Sequence, residues 1–264
     1  MKKLALLLIC SVLSIATLVA QPTLLGHATF ESGLPSGWTV NSSNAAVSNL
    51  IASTGTKSMR MQPSSSGEVY LTSPTYTITA NSGVRMEFSH IPILKNTDAN
   101  AGKLQIKVGN GEWTDLSNGG NSRTSPGDID LTYGSGETWS STFHGFSVYY
   151  FWQSYFGTNP ITLTDLQTYL TDETSPYYDV VTWKNSIFYL TNKIGPTGTS
   201  FQVRFVIPQY TAALANSFSA GWFIDDVRFF VAANPGDEVR VPQIASKIAY
   251  PNMLELKMEL CADR

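Results

Sequence analysis

The clearest signal along the chain is a period of two. Val84, Met86 and Phe88 share one face of a segment whose other face carries Arg85, Glu87 and Ser89, the alternation of a half-buried strand. Leu104, Ile106 and Val108 alternate with Gln105 and Lys107, and Gly109-Asn110-Gly111 then supplies a turn before Glu112-Trp113. The Asn-Gly step tolerates positive φ, so a hairpin is expected there. Phe201, Val203 and Phe205 alternate with Gln202 and Arg204, and Pro208 ends the pairing because it cannot donate to a ladder. Short strands are also predicted over Tyr70–Ser73 and Thr75–Ala80, on either side of Pro74. These spacings define an all-β chain.

Two stretches break the rhythm. Residues 118–182 open with Gly, Asn and Ser, then carry eight aromatic rings between Phe143 and Phe156. Leu163, Leu166 and Leu170 follow at helical spacing, so a short helix is expected inside this insertion. The second break is chemical. In Trp222-Phe223-Ile224-Asp225-Asp226-Val227-Arg228-Phe229-Phe230-Val231, a uniform alternation puts Asp225 in phase with Phe223, Val227, Phe229 and Val231. A carboxylate among such neighbours is costly unless it is paired, hydrogen-bonded or bound to a metal.

The two ends read differently from the middle. Lys2 and Lys3 precede an apolar run from Leu4 to Val19, and Ala20 precedes Gln21. This is the pattern of a cleaved Sec-type signal peptide over residues 1–20, and it predicts a secreted or cell-surface protein without a membrane span in the mature chain. Cys10 leaves with that segment, so Cys261 alone remains and no internal disulfide is possible. Residues 232–264 begin as a linker, and Leu254, Leu256, Met258 and Leu260 then alternate with charged residues. That last strand is expected to open a following, truncated domain, which would link the module covalently to further domains.

Composition narrows the function. The formal charge is −3 and becomes more negative once Lys2 and Lys3 are removed, which argues against a nucleic-acid partner. The three histidines, His27, His90 and His144, form no zinc motif, and no Gly-x-Ser-x-Gly elbow or phosphate loop is present. Asp128 and Asp130 have the alternate spacing of glycosidase acids, but their Gly- and Ser-rich flanks favour a solvated turn; Asp172-Glu173 also sits in loop-like sequence. The sequence predicts no enzyme.

Four segments in order carry a family resemblance: Phe30-Glu31-Ser32-Gly33-Leu34-Pro35-Ser36-Gly37-Trp38, Gly55-Thr56-Lys57-Ser58-Met59-Arg60-Met61, Val69-Tyr70-Leu71-Thr72-Ser73-Pro74 and Gly221-Trp222-Phe223-Ile224-Asp225-Asp226-Val227. Together they resemble bacterial cleaved-adhesin and choice-of-anchor domains, relatives of the MAM domains. The resemblance implies a concanavalin-like jelly roll over residues 21–231, two antiparallel sheets face to face. It also implies a non-catalytic, adhesin-type module that binds an extracellular protein or glycan, with a carbohydrate-binding module or a structural spacer beside a secreted hydrolase or protease as the alternative. The aromatic insertion and the missing disulfides depart from the family pattern.

Two candidate sites follow. In the jelly rolls this chain resembles, a structural calcium ion ties the first strand to the last, which makes Glu31, Asp225 and Asp226 candidate ligands; the alternative is that Asp225 caps a backbone amide and Glu31 is solvated. Trp139, Tyr149, Trp152 and Tyr155 in the insertion are candidate rings for stacking on sugars, the alternative being that they bury the insertion against a sheet.

Overall fold

The structure is a computed structural model, and it describes residues 21–95, 102–116, 129–130, 148–149, 162–172, 174 and 183–237. Two antiparallel sheets stack face to face as a β-sandwich. Sheet A runs in the order β10 (Ile129–Asp130), β12 (Lys184–Tyr189), β7 (Gly83–Ile93), β14 (Gly221–Ala232), β4 (Ser58–Met61) and β3 (Ala45–Ser48), and β1 (Thr23–Ala28) also pairs with β14. Sheet B runs β11 (Val148–Tyr149), β8 (Gly102–Val108), β13 (Ser200–Ile207), β5 (Val69–Thr72) and β2 (Thr39–Val40). The short β6 (Tyr76–Thr77) lies beside β13 and β9 (Thr114–Asp115) beside β8. The expected strands over 84–88, 104–108 and 201–205 are thus central ones, and β8 and β9 form the expected hairpin.

Alternation decides which side chains meet between the sheets. Met86 and Phe88 of β7, Leu104 and Ile106 of β8, and Val203 and Phe205 of β13 fill the interior with Val69, Leu71, Trp222 and Phe229. Aromatic contacts knit the layers: Phe88 meets Phe205 edge-on at 5.0 Å between centroids, and Phe205 meets Trp222 the same way at 5.6 Å. This is the edge-to-face geometry that the ring quadrupole favours. Trp222 Nε1 donates to His90 Nδ1 at 3.1 Å, so the buried indole N–H has an acceptor inside the sandwich.

The two outer faces differ. On sheet A, helix α1 (Leu163–Thr171) is the short helix expected inside the insertion, and a capping box starts it: the Thr162 hydroxyl accepts from Asp165 N while the Asp165 carboxylate accepts from Thr162 N. Its Leu166 is fully buried with Ile91, Ile93, Ala220 and Phe223, flanked by Leu50, Ile51, Tyr169 and Trp183. That small second core buries the outer face of β7 at Ile91 and Ile93. The insertion also adds β10 to sheet A and β11 to sheet B. The outer face of sheet B is polar instead. Lys103, Gln105 and Lys107 of β8 line it beside Gln202 and Arg204 of β13 and Tyr70 and Thr72 of β5.

Asp225 does not share a face with Val227 and Phe229. At the register shift between Asp225 and Arg228, Asp226 and Val227 together oppose the single residue Phe88, which is a β-bulge. Asp226 adopts φ 55° to make it. The bulge resets the phase: Trp222 and Ile224 point into the sandwich before it, Val227 and Phe229 after it. Asp225 therefore faces outward with Phe223, beneath the segment that follows β3. The uniform alternation read from the sequence fails here because it takes the phase as constant along the strand.

Candidate functional site

The acidic junction lies where one edge of β14 changes partner. Trp222 to Ile224 pair with β4, whereas Val227 to Val231 pair with β1. β1 and β4 run in the same direction in one row, and the bulge marks the seam between them. Phe30, in the left-handed region at φ 60°, turns the chain out of that row after β1. The loop from Ile51 to Lys57 arrives to start β4.

Two carboxylates hold that loop. Asp225 Oδ2 accepts from Ser53 N at 2.9 Å and Thr54 N at 3.0 Å, and its Oδ1 accepts from Asp226 N at 2.7 Å. Glu31 accepts from Thr56 N at 3.0 Å, from the Thr56 hydroxyl at 2.9 Å and from Lys57 N at 2.9 Å. Lys57 Nζ reaches back to Glu31 O at 2.9 Å. Gly55 sits between the two grips at φ +68°, and a Cβ there would lie 2.5 Å from the Glu31 carboxyl carbon. Glycine is favoured by the dihedral, and a Cβ would push the Glu31 carboxylate out of its place.

The electrostatics follow from these contacts. Asp225 is fully buried, and burial pushes its carboxyl up to about 6 although three backbone N–H groups favour the charged form. Glu31 is solvent-facing, and the Lys57 and Thr56 amides hold its carboxyl below the usual range. For Asp226, burial works upward, but the His27 hydrogen bond and the Arg228 charge outweigh it and its carboxyl is lowered. His27 Nε2 and Arg228 Nη2 each stand 2.5 Å from an Asp226 carboxylate oxygen.

Calcium takes oxygen ligands. The carboxylates of Asp225 and Glu31 accept from N–H donors and the Thr56 hydroxyl, and Asp226 faces a guanidinium and an imidazole. As arranged here, the three acids suit amides and cations of the protein itself. Among the described residues, no group of three or more His, Cys, Asp or Glu side chains is placed to hold a metal ion.

The second expected site falls largely outside the described residues: Trp139, Trp152 and Tyr155 are there, and Tyr149 is placed only as a residue of β11, paired with Gly102. Asp128 and Glu173 also lie outside them; Asp130 is on β10, and Asp172 Oδ1 accepts from Thr174 N and its hydroxyl.

A different aromatic cluster stands on the outer face of sheet B. Arg204 Cζ lies 4.2 Å from the centroid of the Tyr70 ring and 4.4 Å from that of Trp113. Its Nε donates to Gln105 Oε1 at 2.6 Å, and Gln105 Nε2 donates to Asp115 Oδ1 at 2.7 Å. The Tyr70 hydroxyl donates to Glu68. Rings, a guanidinium, an amide and a carboxylate thus converge on one side of three neighbouring strands. Trp113 carries no site signal in the sequence because it falls in the β8–β9 turn; Arg204 lies opposite Gln105 only through a register that spans about a hundred residues.

No known family profile matches the chain, and no curated protein matches it. Solved structures show a distant likeness. The xylan-binding CBM22-1 domain of Xyn10C from Paenibacillus barcinonensis is 11% identical with a TM-score of 0.40, covering 80% of this chain and 96% of that one. TmCBM61, solved with β-1,4-galactotriose, is 14% identical with a TM-score of 0.38, covering 77% and 94%. The K1 cleaved-adhesin domain of Lys-gingipain from Porphyromonas gingivalis is 14% identical with a TM-score of 0.37, covering 78% and 97%.

Proposed function

We propose that the chain is a secreted, non-catalytic recognition module that binds a glycan on the outer face of sheet B. The observation that carries this reading is the Tyr70–Arg204–Trp113 cluster. Rigid rings present apolar area at little entropic cost, which suits the C–H faces of pyranose rings. Gln105, Asp115 and the Nη edge of Arg204 supply the directional hydrogen bonds that orient a polyhydroxylated ligand. The leader-like segment 1–20 puts such a face outside the cell. The acidic junction, in this reading, is a structural clasp in which backbone amides take the place of a cation.

A glycan array with the full chain tests the reading. Binding to a defined set of glycans, lost in Trp113→Ala and Tyr70→Ala proteins that keep the wild-type circular dichroism and melting temperature, is the expected result. Binding unchanged in both variants would move the site off this face.

A further inference from the structure

The charge of the sheet B face goes further than its shape and names a ligand class, in an inference that rests on the glycan-binding reading above. The chain as a whole is acidic, yet this face sets three cations beside the acids Glu68 and Asp115. Lys103 and Lys107 flank Gln105 on the same side of β8, and Arg204 stands opposite Gln105 on β13. The acids nearby keep their charge but turn it to neutral partners, Asp115 accepting from Gln105 and Glu68 from the Tyr70 hydroxyl. Arg204 itself pairs with no carboxylate among the described residues. Its faces lie against two rings and its Nε is spent on a neutral amide, which leaves the Nη edge as a fixed fork. Such a fork matches a carboxylate in bidentate geometry, and ring stacking pre-organises it so that little entropy is lost on binding.

We propose that this face selects a carboxylate-bearing glycan of the uronic-acid type, with Arg204 taking a carboxylate, Lys103 and Lys107 providing flanking charge, and Tyr70 and Trp113 taking sugar rings. A neutral glycan offers the fork only hydroxyl groups, and an acidic peptide offers the rings no pyranose face.

Isothermal titration of the full chain with tetragalacturonate and with its neutral counterpart, galactotetraose, tests this. The expected result is at least about tenfold tighter binding of the uronate at low salt, with that margin shrinking several-fold at about 0.5 M salt as screening takes hold. Arg204→Gln should erase the preference, and Arg204→Lys should restore part of it. Should Arg204→Gln fail to fold, the charge reversal Lys103→Glu with Lys107→Glu, which leaves the rings in place, should abolish uronate binding. Equal or tighter binding of the neutral tetrasaccharide would overturn the ligand class and leave the glycan-binding reading standing. Polyglutamate binding as tightly as the uronate would show a charge-only surface and overturn it too. No binding of any sugar, uronate or neutral, would overturn both.

Discussion

Glu31 and Asp225, 194 positions apart in the chain, grip one loop from two sides: Glu31 holds Thr56 and Lys57, and Asp225 holds Ser53 and Thr54. Between them they seat the start of β4 beside the end of β1, where β14 changes partner. The clasp uses the same chemistry as a helix N-cap, a carboxylate meeting otherwise unsatisfied N–H groups, but applies it to a seam in a sheet.

Asp225 is the more costly of the two to remove. Asp225→Ala leaves three part-buried N–H groups without their acceptor, and an orphaned buried group costs of order 1–3 kcal/mol. Local relaxation will recover part of that, so a loss of roughly 2–4 kcal/mol is expected in urea unfolding. Asp225→Asn keeps one acceptor oxygen and should lose about half as much. Glu31→Gln faces solvent, which can replace its bonds, and should cost clearly less than either change at Asp225.

Much of this fold is legible as rhythm, because β7, β8 and β13 keep one phase and their apolar faces point where the alternation says. The clasp is only half legible. Asp225 stands out as a carboxylate in an apolar strand, and Glu31 as an acid in the first family-like segment. Their partners are backbone amides, however, and amides leave no mark in a sequence. The bulge at Asp226 is equally silent, since any residue count through Trp222–Val231 is compatible with an unbroken strand. The Tyr70–Arg204–Trp113 cluster needs the non-local register of β5, β13 and β8, which alternation cannot supply.

Gly55 should be intolerant of a side chain. At φ +68°, with the Glu31 carboxyl carbon 2.5 Å from the place a Cβ would occupy, Gly55→Ala should destabilise the protein by roughly 1–3 kcal/mol. Thermal unfolding of Gly55→Ala in the wild-type and Glu31→Ala backgrounds separates the two causes. Partial recovery in the double variant assigns the cost to the close approach, and the remainder to the dihedral.

Stability should depend on pH in a way that Asp225 governs. Its carboxyl is raised to about 6 by burial, so its contribution is full below about pH 4 and is lost as the pH rises through about 6. The expected change is of order 1–3 kcal/mol. Glu31 and Asp226, both lowered, act in the opposite sense, and their contribution is lost only as the pH falls below the usual carboxylate range. Urea midpoints should therefore decline between about pH 4 and pH 7 in the wild type and flatten in Asp225→Asn.

Calcium should do little to the folded state. Because N–H donors occupy the junction carboxylates, the melting temperature after dialysis against EDTA should stay within about 1 °C of that in millimolar calcium. A calcium-dependent rise of several degrees would show a cation displacing the amides.

Chemical-shift mapping probes the outer face of sheet B as the proposed glycan site. On titration of the isotope-labelled full chain with a glycan that it binds, the perturbed signals should centre on Tyr70, Gln105, Trp113, Asp115 and Arg204, while Ser53 to Lys57 and Asp225 stay still. Perturbations centred on the loop and Asp225, with the Tyr70–Arg204–Trp113 cluster unmoved, would place the ligand at the acidic junction instead.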